Sequence, residues 1–350
     1  MLPGMTRVTA EQLATARGCV LGLMLGDAIG ATGGKVPASG PLRATSAGQL
    51  ACFTIEGIIR ANIRGTHKGI CHPPSVVRHA YARWAAMQGI PGIKRWKEEG
   101  WPDGWLAQVP VLTVRRGSAP ATVSALQSQP NWGAEDSEWT SVGAHGLTRT
   151  LPAGLVEWWG PQPGRFAAEV ASTTHGQEAA DAAALGVTVI ANLAKRQDVL
   201  KSAELAQREC QSLVRVMTGL PLSSAIHAGR DHPRQAKVLA QLAPDARAAS
   251  ALAGAVYVAL SFPDRAQLRD ALMFAASVPH GMHVAATAGA FLGAAHGVDA
   301  LPVDLVSRME LVWVADVLAQ DLLTEFVDGP SGSGYGDAAD PHWWDRYPGW

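Results

Sequence analysis

Small residues inside helical patterns constrain this chain more than any other feature of its sequence. Thirty-seven of the 350 residues are glycine, and many of these glycines lie beside alanine. In the last of the strongly apolar patterns, Ala286, Ala290 and Ala294 recur four residues apart, and Gly289 and Gly293 form an adjacent row. This spacing puts small side chains on one helical face, which lets a neighbouring helix approach closely. We therefore expect a compact helical protein.

Helical patterns account for most of the chain, so we predict an all-α fold. Capping boxes are indicated at Thr9 with Gln12 and at Thr174 with Gln177. The best strand candidate, residues 109–114, is short and contains Pro110, which weakens it. The predicted helices cover residues 9–25, 178–195, 247–260, 264–277, 283–296 and 304–326.

Composition excludes several classes of protein. Apolar residues make up 47% and charged residues 17% of the chain, which excludes a disordered protein. A net charge of −1 lacks the basic footprint of a general nucleic-acid binder. The apolar run at 18–25 is too short to span a bilayer, so we expect no membrane partner. Four scattered cysteines without a CxxC motif indicate a reducing, cytoplasmic location.

Two regions depart from the helical pattern. Residues 89–160 are rich in loop-forming residues and are predicted to form a loop-rich insertion packed on the helical body. Residues 329–350 form a Gly/Pro/Trp-rich tail, which we expect to dock through its tryptophans, and residues 1–328 form the domain itself. The tryptophans of the insertion are Trp96, Trp101, Trp105, Trp132, Trp139, Trp158 and Trp159.

Five segments resemble, in the same order, the motifs of the ADP-ribosylglycohydrolases, the family that includes dinitrogenase-reductase-activating glycohydrolase. GLMLGDAIG at 22–30 resembles the opening helix of the family, and TSAGQ at 45–49 stands where the family carries Thr-Asp-Asp-Thr-Gln. GAHGLTR at 143–149 resembles its Gly-Asn-Gly-Gly-Ala-Met-Arg loop, and Thr174-His175 resembles its Thr-His helix start. VPHGMHVAATAGAFLGAAHG at 278–297 resembles the helix that begins Gly-Asp-Thr-Asp-Thr. The resemblance covers roughly residues 12–325.

The resemblance implies an all-α domain with a binuclear magnesium site, in which the aspartates and threonines of two motifs hold the metals beside the ribose. Magnesium requires several hard oxygen ligands in near-octahedral geometry. In this sequence Ser46 and Ala47 replace the two aspartates of the first motif, and Gly48 replaces its second threonine. We therefore expect no cofactor and infer that the magnesium site of the family is lost.

The last motif departs from the family in the same way. His280 and Met282 stand at its two aspartate positions, and Gly281 and His283 stand at its two threonine positions. His280 and His283 could hold a different metal, because imidazole suits softer ions than magnesium. The simpler interpretation, which we favour, is that they line an old pocket without binding metal.

Several residues are candidates for binding a ligand without metal. Arg149 could pair with a phosphate or could brace its own loop, and His175 could cap its helix or contact the ligand. Tryptophans between residues 132 and 159 could stack on an adenine or could simply pack. No catalytic or metal-binding residue is assigned. The predicted ligand-binding residues are Asp27, Thr45, Ser46, Gly146, Arg149, His175, His280, Gly281, Met282 and His283.

Three hypotheses about function follow. The first is a divergent ADP-ribosylglycohydrolase-fold protein, a pseudoenzyme with a degenerate metal site, that binds ADP-ribose, a related ribosyl or nucleotide ligand, or an ADP-ribosylated protein. The second is an active ADP-ribosyl or N-glycoside hydrolase that is metal-independent or differently metallated. The third is a non-catalytic interaction protein. The sequence leaves open whether the chain is an enzyme.

Overall fold

The fold is that of a computed structural model, which describes residues 7–95, 99–128, 139–157, 162–214, 222–333 and 338–349. Four of the tryptophans singled out above, Trp96, Trp132, Trp158 and Trp159, lie outside the described residues. The proposed stacking of Trp132, Trp158 and Trp159 on an adenine therefore stays a prediction.

The described residues form α-helices, short 3₁₀ helices and two isolated bridges but no strand, so the prediction of an all-α fold is confirmed. The α-helices among them are α1 Ala10–Ala31, α2 Ser46–Lys68, α3 Pro73–Met87, α4 Pro120–Gln127, α5 His145–Thr148, α6 Pro163–Ser172, α7 Gln177–Ala194, α8 Val199–Glu209, α9 Leu222–Asp231, α10 Ala236–Leu242, α11 Ala248–Ser261, α12 Leu268–Ala276, α13 Gly281–His296, α14 Val303–Val306, α15 Val312–Val327 and α16 Trp343–Arg346.

Helix α1 is the central element of the fold. Its residues from Gly18 to Gly30 are all buried, as expected for a helix that is apolar on every side. It packs against α13, α15 and α12. By length and composition α1 could cross a membrane, but 83% of its most apolar window is buried inside the protein, which is the burial of a core helix.

Helices α1 and α13 touch through their backbones. A Cβ atom added to Gly22 would lie 2.2 Å from the Gly289 carbonyl oxygen, and one added to Gly289 would lie 2.1 Å from the Gly22 oxygen. Gly18 and Gly293 face each other in the same way, one turn further along. The pairs run in opposite directions along the two helices, so α1 and α13 are antiparallel. This contact is the close approach that the row of small residues predicts.

Local predictions had mixed outcomes. The capping box at Thr9 and Gln12 is present, with both of its hydrogen bonds. The box at Thr174 is absent, because α7 begins after Gly176 and the Thr174 hydroxyl binds Arg149 and His175 instead. The strand candidate is wrong: Pro110–Thr113 form a 3₁₀ helix, for which the proline at its first position is well suited.

The region predicted as one helix at 304–326 is two helices, α14 and α15. The chain between them turns at Met309, which forms an isolated bridge with Leu42. Two backbone hydrogen bonds hold this bridge: the Leu42 amide donates to the Arg308 carbonyl at 2.8 Å, and the Glu310 amide donates to the Leu42 carbonyl at 3.0 Å. The bridge ties the start of α15 to the loop that leads into α2.

Candidate functional site

The first half of the predicted site lies at the N-terminus of α2, where Asp27 of α1 acts as a cap. The Thr45 hydroxyl donates to Asp27 Oδ1 at 2.7 Å, and the amides of Thr45 and Gly48 donate to Oδ2 at 2.6 and 3.2 Å. The Ala47 amide donates to the Thr45 hydroxyl at 3.1 Å. A carboxylate here also complements the partial positive charge of the helix N-terminus.

A segment of the loop-rich insertion covers the same helix end. The Ser46 amide donates to the Arg116 carbonyl at 2.7 Å, and the Ser46 hydroxyl donates to the Ser118 carbonyl at 3.1 Å. The Arg116 guanidinium makes two hydrogen bonds to the Glu310 carboxylate, at 2.8 and 3.0 Å, which anchor the segment. The amides of residues 46, 47 and 48 therefore all donate to groups of the protein.

Asp27 is fully buried, and burial raises its pKa to about 6, although the hydrogen bonds from Thr45 and Gly48 favour the ionised form. A carboxylate offers about four lone-pair positions, and three donors already point at this one. Three of these positions are taken by groups that hold the start of α2, which leaves at most about one for a cation. The geometry makes Asp27 a structural cap.

The second half of the predicted site is a cluster of imidazoles from α5, from the turn before α7 and from α13. The rings of His145 and His283 meet edge to face, with centroids 4.8 Å apart. His283 Nδ1 lies 3.4 Å from the Thr148 hydroxyl, and His175 Nδ1 lies 2.7 Å from the Thr174 hydroxyl. His145 is half-buried, whereas His175 and His283 are 3% and 7% exposed.

These three imidazoles are neutral at physiological pH. Burial lowers the pKa of His283 to about 4. Burial, followed by the charge of Arg149, lowers the pKa of His175 to about 3. Burial is also the main reason why the pKa of His145 lies well below its usual value. Neutral imidazoles can donate and accept hydrogen bonds, but they carry no charge with which to attract a phosphate.

Arg149 is fully buried and braces the cluster from behind. Its guanidinium donates to the Thr122 hydroxyl at 2.7 Å and to the Thr174 hydroxyl at 2.5 Å, and it lies 4.2 Å from the centroid of the Tyr81 ring. Burial lowers its pKa. Of the two roles considered for Arg149, bracing the loop is the one that these contacts support.

The two predicted glycines serve close packing. A Cβ atom on Gly146 would lie 3.2 Å from the His175 ring, and one on Gly281 would lie 2.3 Å from the Ala275 carbonyl oxygen. Their amides donate to carbonyl groups in their own turns, at Gly143 and Val278, over 3.3 and 2.9 Å. Neither amide is free to bind a phosphate in this arrangement.

The turn before α13 separates the remaining predicted residues. His280 is exposed and lies near Asp245. Met282 is half-buried, and its backbone packs against Gly30 of α1. His280 and His283 therefore do not form a pair, since His283 points into the buried cluster with Thr148.

The structure thus brings Asp27, Thr45 and Ser46 together at α2, and gathers the other buried residues around the imidazole cluster. Ser118 links the two halves, because its backbone accepts from Ser46 and also bonds to His145. Sequence reasoning missed both Ser118 and His145. His145 was visible in the GAHGLTR segment, but it stands at a glycine position of the family motif and so carried no signal.

The described residues include no group of three or more His, Cys, Asp or Glu side chains arranged to hold a metal ion. The residues at the family's metal positions do not fit magnesium, because Ser46, Ala47, His280 and Met282 supply no carboxylate and Asp27 already accepts three hydrogen bonds. No chemical step through a magnesium ion can be assigned to them.

Two comparisons with known proteins find similarity over most of the chain. Residues 9–331 match the family model described as ADP-ribosylglycohydrolase. A solved structure titled "ADP-ribosylglycohydrolase-related protein complex" covers 90% of this chain and 98% of its own, with a TM-score of 0.61 and 18% sequence identity. At that identity the likeness shows the fold. No curated protein matches the sequence.

Proposed function

Because the chain belongs to the ADP-ribosylglycohydrolase family, we propose that it keeps the ligand cleft of the family without the dimagnesium chemistry, and that it binds ADP-ribose or a related ribosyl or nucleotide ligand. The ligand could be free or attached to a protein. The observation that carries the proposal is that Ser46, Ala47, His280 and Met282 supply no carboxylate, while His283 in the same motif is a buried imidazole that can form hydrogen bonds.

The imidazole cluster supports binding of polar but uncharged groups. His145 is half-buried, and its buried Nδ1 atom has no hydrogen-bond partner within the described residues. An unpaired polar atom in such a position costs free energy unless a ligand or water satisfies it. Ribose hydroxyls both donate and accept hydrogen bonds, so they suit a neutral imidazole.

The same features disfavour hydrolysis by the alternative route, in which a histidine replaces the metal. A general base works best with a pKa near the operating pH, whereas burial puts the pKa values of His175 and His283 at about 3 and 4. Asp27 has a pKa of about 6, but it is fully buried and bound to Thr45 and Gly48. We therefore favour ligand binding over catalysis as the function of this site.

Isothermal titration calorimetry with ADP-ribose tests the proposal. Titrations in millimolar MgCl₂ and in EDTA should give the same affinity, since no magnesium ion takes part. Absence of binding in both conditions would refute the proposal that ADP-ribose is a ligand. Binding that requires magnesium would refute the proposal that the metal site is lost.

Matched histidine variants locate the binding site. His145→Ala should weaken binding about tenfold, the cost of one good hydrogen bond, whereas His227→Ala, on an exposed face of α9, should leave it unchanged. Equal affinities for the two variants would place the ligand elsewhere.

Incubation with an ADP-ribosylated peptide separates binding from catalysis. We expect no release of ADP-ribose. A release that resists EDTA and disappears in His280→Ala would favour the hydrolase hypothesis instead. If ADP-ribose does not bind at all, the interaction-protein hypothesis is the one that remains.

A further inference from the structure

The end of the chain folds back onto the helical body. Residues 338–349 pack beside α2 and α15, with Trp343 only 6% exposed and Tyr347 fully buried. The Tyr347 hydroxyl donates to Asp321 of α15 at 2.5 Å, and the Arg346 guanidinium pairs with the same carboxylate at 2.5 Å. A second contact joins the Arg60 guanidinium of α2 to the Pro348 carbonyl at 3.4 Å.

A buried carboxyl group lies beneath this segment. Glu325 is 3% exposed, and its Oε1 atom accepts hydrogen bonds from the Asn62 amide at 3.0 Å and from the Ser331 hydroxyl at 2.9 Å. The Trp343 indole lies beside it. Within the described residues, no cationic side chain forms an ion pair with Glu325.

The charged and titratable groups near Glu325 bind other partners. On α15, Asp321 lies one turn before Glu325 and is held by Arg346 and Tyr347 of the tail. On α2, His67 Nε2 lies 2.9 Å from the Ser331 carbonyl oxygen. Glu325 is thus a carboxyl enclosed by α2, α15 and the tail, with hydrogen bonds but no counter-charge.

Enclosure of this kind favours the protonated form of a carboxyl group. Burial raises the pKa of Glu325 to about 7, although the bonds from Asn62 and Ser331 favour ionisation. A glutamate exposed to water titrates near 4.3. Glu325 therefore binds its proton more tightly when the tail covers it than when the tail is released. By the same linkage, ionisation of Glu325 weakens the docking of the tail.

We propose that residues 338–349 form a proton-linked strap, which docks firmly over Glu325 while that carboxyl is protonated and loosens when it ionises. The strap would be held at mildly acidic pH and released progressively above neutrality. The inference is independent of the proposed ligand, since it rests only on contacts between α2, α15 and the tail.

Trypsin cleavage after Arg346 reports the release of the strap, because Tyr347 is buried while the segment is docked. Mass spectrometry of the released tetrapeptide YPGW gives the rate. Dividing the cleavage rate of the wild-type protein by that of Glu325→Gln at each pH cancels the pH dependence of trypsin itself. Between pH 6 and pH 8, the ratio of wild-type to variant cleavage should rise severalfold, up to about tenfold if Glu325 titrates at about 7 when docked and near 4.3 when released.

Asp328→Asn is the matched control, since it neutralises an exposed carboxylate three residues further along the chain. It should keep the wild-type pH dependence. A flat ratio for Glu325→Gln, or the same loss of pH dependence in Asp328→Asn, would overturn the proposal.

Ser331→Ala provides a second test should Glu325→Gln not fold. It removes a hydrogen bond that favours the ionised carboxylate. Docking at pH 8 should then weaken, so the tetrapeptide should be released faster than from the wild type at pH 8 but at a similar rate at pH 6. Equal rates for the two proteins at both pH values would contradict the proton linkage.

Discussion

Gly289→Ala probes the contact on which the fold depends. The new Cβ atom would lie 2.1 Å from the Gly22 carbonyl oxygen, and a normal contact needs at least about 3.4 Å, so α1 and α13 would have to separate by more than about 1 Å. The two helices meet here through backbone atoms, which cannot move aside as a flexible side chain could. The same shift would disturb the contact between Gly18 and Gly293 one turn away.

The expected magnitude is a balance of two terms. Alanine favours a helix over glycine by about 1 kcal/mol, while overpacking of a dense core costs about 1–3 kcal/mol and more where the backbone must move. Because both backbones must move here, we expect a net loss of about 2–4 kcal/mol in the free energy of unfolding. For a chain of 350 residues this corresponds to a fall in Tm of about 3–6 °C. Urea denaturation and thermal unfolding followed by circular dichroism measure both quantities.

Gly254→Ala is the control, because it lies in the buried helix α11 and its Cβ atom would meet only side-chain atoms of Val284 and Ala243, at 3.0–3.1 Å. Its effect should stay within about 1 kcal/mol of zero, since the helix-propensity gain offsets a small repacking cost. If Gly289→Ala were as stable as the wild type, the backbone contact between α1 and α13 would not exist as described.

Three further predictions concern the candidate site. Millimolar MgCl₂ should leave the Tm of the wild type unchanged relative to EDTA, because a ligand raises stability only by binding the folded state; a magnesium-dependent rise of several degrees would contradict the loss of the metal site. Since the folded-state pKa values of His175 and His283, about 3 and 4, lie below the value of about 6.5 for an unfolded histidine, the unfolded chain binds more protons between about pH 4 and 6.5. The free energy of unfolding should therefore rise with pH through this window, and in His283→Gln the slope from urea titrations should be smaller by about one proton; an unchanged slope would mean that His283 is not buried. Arg149→Lys should lower the free energy of unfolding by about 2–4 kcal/mol, because an ammonium cannot reach both Thr122 and Thr174. The folded form of this variant should still bind ADP-ribose as the wild type does. A loss of binding in a variant that remains folded would mean that Arg149 contacts the ligand.

The sequence predicted the fold well because the relevant signals are local and periodic. The apolar pattern of α1 and the row of small residues in α13 follow from residue spacing alone, and the structure shows these two helices in backbone contact. The strand candidate at 109–114 failed because a proline-containing run too short for a clear period is equally suited to a 3₁₀ helix.

The site could be predicted only in part, because the role of a polar residue depends on its neighbours in space. Thr174 followed by Gln177 fits a capping box, yet its hydroxyl serves Arg149, which comes from a different element. His145 and Ser118 were missed because neither has a distinctive sequence context, and only folding brings them beside His283 and Ser46.

Residue types alone determined that serine, alanine, histidine and methionine stand at the aspartate positions of the resembled motifs, since no packing can turn these side chains into carboxylate ligands. Tertiary structure alone decided what the one remaining carboxylate does. Asp27 is a cap because folding places the amides of Thr45 and Gly48 against it. The pKa values of the imidazoles are likewise properties of burial, which depends on packing between distant parts of the chain.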